Sequence, residues 1–129
     1  MILLALLAVA DLDSEIETLR RRTAELEETR AKVYYEVQAA LLDVGAARQQ
    51  VDLSARTVEL ADEQLIQARD RFAAGVADTI EVVQAQEAVA TAHDSSVLSL
   101  YGYNAAKASL ASALGLAEEQ MPRFLGAAK

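Results

Sequence analysis

His93 is the only histidine in the sequence, and it is followed by Asp94 and by Ser95, Ser96 and Ser99, the one place where side chains suited to catalysis gather. A serine becomes a nucleophile only beside a base, and none of these serines has a histidine at a spacing that suggests one. A metal site inside a helical bundle draws carboxylates and histidines from several facing helices, typically through a Glu-x-x-His pair. His93 has no such glutamate and stands among Ser, Ala and Thr. With no cysteine there is neither a thiolate nor a disulfide frame, and no glycine-rich phosphate loop with its lysine is present. We therefore assign no catalytic, cofactor-binding or metal-ligating residue and expect a protein that is not an enzyme.

Charge narrows the partners. The formal net charge is −8, whereas a nucleic-acid surface needs a basic face to neutralise phosphates. The one basic cluster, Arg20-Arg21-Arg22, lies among Glu15, Glu17, Glu25, Glu27 and Glu28, as a solvated helix face laced by i,i+4 pairs would. Tyr34, Tyr35, Tyr101 and Tyr103 read as packing residues at wider places in a bundle.

The elements behind these residues are helical. From Val33 to Phe72 an apolar 4-3 spacing runs through Val37, Ala40, Val44, Ala47, Val51, Ser54, Val58, Ala61, Leu65 and Ala68, with eleven of the twelve positions apolar. Charged and amide residues fill the positions between. A strand alternates every second residue and is short, so this is one long amphipathic helix with a coiled-coil seam. Ile16, Leu19 and Leu26 extend the spacing upstream and place the helix start near residue 13. The part from Val33 to Ala73 alone spans about 60 Å.

A second helix follows the spacing Val82, Ala85, Val89, Ala92, Ser96, Ser99, Tyr103, Ala106, Leu110 and Ala113. Its length is about 50 Å, and its small residues permit close backbone approach. Neither helix is stable alone, because helix stability comes mostly from packing of the apolar face. Between them Gly75 is placed to take the left-handed conformation that stops a helix. Asp78 and Glu81 have the spacing of a capping box, with Asp in place of Ser or Thr. So short a link makes the helices antiparallel neighbours.

The expected fold is all-α, a single helical-hairpin domain over 1–129. It has a descending helix at about 13–74, a tip turn at 75–78, a returning helix at about 79–115 and a C-terminal tail at 116–129, loose from Arg123 onward. The apolar start, Met1 to Ala10, lacks the basic residues that precede an export-signal core, and Asp11 and Asp13 follow at once. It reads as the first turns of a helix whose upstream partner is missing, with a degenerate export signal as the alternative. Ten residues are about half of a bilayer span.

At the turn the sequence becomes distinctive. Arg71-Phe72-Ala73-Ala74-Gly75 is followed by Glu81-Val82-Val83-Gln84-Ala85-Gln86, by Ala88 and Ala92, then by Tyr103-Asn104, Ala105-Ala106, Leu110 and Ala113-Leu114-Gly115. Upstream stands Glu36-Val37-Gln38-Ala39-Ala40-Leu41-Leu42-Asp43. In order and distance these elements, over roughly residues 20 to 116, resemble the helical-hairpin repeat of TolC-like outer membrane efflux proteins.

The resemblance implies a homotrimer whose outer-membrane β-barrel continues as an α-helical tunnel through the periplasm of a Gram-negative-type bacterium. This chain would then form part of that tunnel, a passive export duct. The short turns of such tunnels meet a periplasmic adaptor (membrane fusion) protein and, through it, an inner-membrane pump. By position, Gly75, Val76, Ala77, Asp78 and Thr79 would be the docking tip, with Phe72 anchoring the turn from inside. Two departures stand out: Asp78 replaces the Ser or Thr of many members, and neither barrel strands nor a second hairpin is found. The chain therefore resembles the C-terminal part of such a protein, with the tail after Pro122 as its natural end. A stand-alone, self-associating coiled-coil module is the alternative, which explains the heptads but not the turn.

Overall fold

The structure, a computed structural model, describes residues 1–115. It contains two helices, α1 (Ile2–Ala73, 72 residues) and α2 (Thr79–Ala113, 35 residues), and no strand among the described residues. Helix α1 begins eleven residues before the expected start at 13. Ile2 to Leu12 is rich in Leu and Ala, which favour helix, and neither Asp11 nor Asp13 interrupts it. The expected tail, 116–129, lies outside the described residues.

The chain divides into two compact units, Met1–Gln38 and Ala39–Lys129. From Ala39 to Ala73 helix α1 has 35 residues, as many as the whole of α2.

In the first unit α1 is mostly exposed, and its apolar Ile2, Leu3, Leu4, Leu6 and Leu7 lie open to solvent. Its charges form weak surface pairs, Arg21 with Glu25 and Lys32 with Glu36, each at 4.0 Å. Tyr34 and Tyr35 meet edge to face with ring centroids 5.8 Å apart. Both are exposed rather than packed in a bundle. The Tyr34 hydroxyl accepts from the Gln38 amide, which holds it toward solvent.

The second unit is the hairpin, and its core lies where the spacing predicts. On α1 the buried residues are Ala40, Ser54, Ala61 and Ala68, with Ala47 half-buried between them, one small residue every seventh position. Val44, Val51, Val58 and Leu65 alternate with them and are half-buried. On α2 Ala92 is buried, and Val82, Ala85, Val89, Ser96, Ser99 and Tyr103 are half-buried.

Each alanine contributes about 0.8 kcal/mol of methyl burial, so the seam gains its strength from the number of layers and from close approach. Ser54 is tolerated because its hydroxyl donates to the Val51 carbonyl one turn back at 2.9 Å, which leaves no polar atom unpaired. Near its end α2 buries Ala111 completely, beside the half-buried Leu110 that the spacing places in the seam.

Candidate functional site

The tip is built largely from main-chain bonds. Gly75 adopts φ +75°, a conformation that costs an L-residue with a side chain about 1–2 kcal/mol. Its N–H donates to the Phe72 carbonyl at 3.0 Å, and the Val76 N–H donates to the Arg71 carbonyl at 2.9 Å. These two bonds are the Schellman arrangement, and they satisfy carbonyls that the helix end would otherwise leave open. The Ala77 N–H shares the Arg71 carbonyl at 3.3 Å.

Asp78 then starts α2. Its backbone is extended, and its carboxylate accepts from the Glu81 N–H at 3.1 Å. Asp78→Ala is expected to lower hairpin stability by about 1 kcal/mol, the usual loss for an N-cap. Matched thermal melts of the two proteins check this, and superimposable curves would count against the cap.

Glu81 has a different part from the one its spacing suggests. In place of the Asp78 amide, its side chain accepts from Arg71 Nη1 across the hairpin at 2.8 Å. Arg71 stands four residues before Gly75 and Glu81 three after Asp78, so the turn itself brings them together. Both side chains are well exposed, so the pair contributes little to stability. It holds the base of the turn at one separation. The signal for it was present in the sequence, an Arg and a Glu symmetric about the turn, but the capping box claimed the glutamate first.

The tip residues are accessible. Val76 is 71% exposed, Asp78 and Thr79 are exposed, and Ala77 is half-buried. Phe72, expected to anchor the turn from inside, leaves about half its surface open. It stands one helical turn beyond Ala68, the last buried layer, and α2 begins only at Thr79, so nothing encloses the ring. His93, exposed on α2, is distant in sequence from all of these.

Above the tip a groove runs along one side of the hairpin. Its lower part is lined by Gln64, Gln67, Arg71, Glu81, Gln84 and Ala88, and it continues past Thr57, Leu60, Thr91 and Ser95 to Gln50, Leu98 and Gly102. Above the Arg71–Glu81 pair these lining residues carry no charge. The charges of α1, including Asp52, Arg56, Glu59, Asp62, Glu63 and Asp70, occupy other positions on the helix.

Residues 8–116 match the family model described as outer membrane efflux protein. The chain belongs to the outer membrane efflux protein family. No curated protein and no solved structure matches it. Members are TolC-like channel proteins of the Gram-negative outer membrane, not enzymes; they form trimers and interact with adaptor proteins. No helix among the described residues is long and apolar enough to cross a membrane.

Proposed function

We propose that this hairpin is a wall element of the periplasmic tunnel of a trimeric efflux channel, and that its tip docks the adaptor of a tripartite pump. The observation that supports this most is the construction of the tip. The main-chain bonds of Gly75 and Val76 and the Asp78 cap hold the turn, which leaves the Val76 and Thr79 side chains free for a partner. Val76 presents an apolar side chain at the tip, 71% exposed. In this reading the duct is passive. Its work is geometric, in the apolar seam that joins helices, and electrostatic, in the acidic surface shown to water. Through the adaptor it communicates with an inner-membrane pump.

The test is Val76→Asp. It places a charge at the tip without altering either cap, and solvent-facing substitutions of this kind usually change stability by less than about 0.5 kcal/mol. Adaptor capture in a pull-down or by surface plasmon resonance is expected to fall at least tenfold, with helicity by circular dichroism unchanged. Full capture by the variant would remove the tip from the interface.

A further inference from the structure

The bonds that close the tip each stay within one helix end. Those of Gly75, Val76 and Ala77 run back to Phe72 and Arg71 at the end of α1, and that of Asp78 runs forward to Glu81 at the start of α2. None of them sets the distance or the angle between the two helix ends. Packing does little to set it either, because every residue from Arg69 to Val76 is exposed and the last buried layer of α1 is Ala68.

One contact spans the gap. Arg71 Nη1 donates to Glu81 Oε1 at 2.8 Å. Among the described residues this is the only side-chain hydrogen bond or ion pair that joins α1 to α2. The same two residues also carry the caps. The Arg71 carbonyl accepts from the Val76 and Ala77 N–H groups, and the Glu81 N–H donates to the Asp78 carboxylate. A continuous chain of bonds results, in which the exposed Val76 is tied to Arg71, Arg71 to Glu81, and Glu81 to Asp78.

Gln64, Gln67 and Gln84 line the groove beside the pair; they are neutral and offer neither group a competing charge. An exposed pair of this kind adds little to stability, yet a charge-assisted hydrogen bond holds a short, defined distance. Its contribution is to geometry.

We propose that Arg71 and Glu81 are positioning residues, a latch that fixes the spacing of the two helix ends so that Val76, Asp78 and Thr79 meet a partner as one preformed surface. The latch serves the docking role assigned above to the tip and rests on it, since preorganisation removes the ordering cost that a mobile tip would meet on binding. It lies within a single hairpin and is the same in every copy of an assembly.

Paired spin labels on the full chain test it, because the sequence has no cysteine of its own. Labels at Asp70→Cys and Val83→Cys report the tip, and labels at Arg56→Cys and Asp94→Cys report the hairpin above it; all four positions are exposed. Excess unlabelled chain confines each distance to one molecule. The parent is expected to give a narrow distance distribution at both places. Arg71→Ala and Glu81→Ala should each widen the one at the tip at least twofold and leave the other unchanged. Both together should widen it no further than either alone, as expected for partners in one contact. Capture of the adaptor used with Val76→Asp should fall at least tenfold in each.

The exchange Arg71→Glu with Glu81→Arg is expected to restore the narrow distribution and the capture. It sets each charge against the dipole of its own helix, so its melting temperature should still fall below the parent's. Geometry regained while stability drops is a combination that a merely structural pair would not give. A tip distribution that stays narrow in both alanine variants would overturn the latch. So would further widening when the two are combined, or alanine variants that capture the adaptor as the parent does. A parent that captures no adaptor would remove the docking role instead, and the distances alone would then decide whether the latch exists.

Discussion

Gly75→Val is expected to cost the hairpin about 2 kcal/mol or more and to abolish adaptor docking. Gly75 sits at φ +75°, where an ordinary L-residue pays about 1–2 kcal/mol and a β-branched one is a genuine outlier. Space is not the issue, because a Cβ there meets no atom within 4 Å. The cost is entirely in the backbone. To relieve it the turn must leave the left-handed conformation, and the bonds from Gly75 to Phe72 and from Val76 to Arg71 are lost with it. Asparagine tolerates the conformation, so Gly75→Asn should keep most of the stability. Thermal melts and adaptor binding on the same three proteins make the comparison. A valine variant that melts and docks like the parent would mean that the turn is not what positions the tip.

Ala61→Leu is expected to be nearly as damaging, a loss of about 1–3 kcal/mol by overpacking. Ala61 is 6% exposed, whereas its neighbour Leu60 is 55% exposed. The intuition that the larger apolar residue is the structural one is reversed here. Leucine at 61 must push the helices apart and forfeit the contacts of the adjoining Val58 and Leu65 layers, while Leu60→Ala should change stability by no more than about 0.5 kcal/mol. Chemical denaturation of both variants measures the contrast. Equal losses would show that the seam is not close-packed at this layer.

How far the molecule could be read from its sequence depends on the kind of interaction. The seam was legible because period and residue size act together. Alternating Val or Leu and small residues at 44, 47, 51, 54, 58, 61, 65 and 68 admit one packing face, and burial follows it. Gly75 and Asp78 were legible because helix ends impose strict local demands. Less legible were inferences that need a third body. Phe72 was expected inside the turn and Tyr34 and Tyr35 inside a bundle, and apolarity alone does not say which neighbour covers a ring. Glu81 was assigned by local spacing to the Asp78 amide, and the cross-hairpin approach of Arg71 prevailed.

The regularity of the seam carries a further consequence for assembly. One layer of α1 resembles the layer seven residues away so closely that the two helices, slid past each other by one heptad, or about 10 Å, would meet an almost equivalent set of knobs and holes. Tyr103 is the one bulky ring in the α2 seam and penalises such a slip only locally. Alignment is therefore not encoded along the length of the hairpin but at its end, where four residues separate Ala73 from Asp78 and cannot stretch to absorb an error. The turn acts as the zero mark of a ruler. Pairing that begins there closes its shortest loops first and propagates away in step, whereas a start elsewhere can lock the helices out of phase.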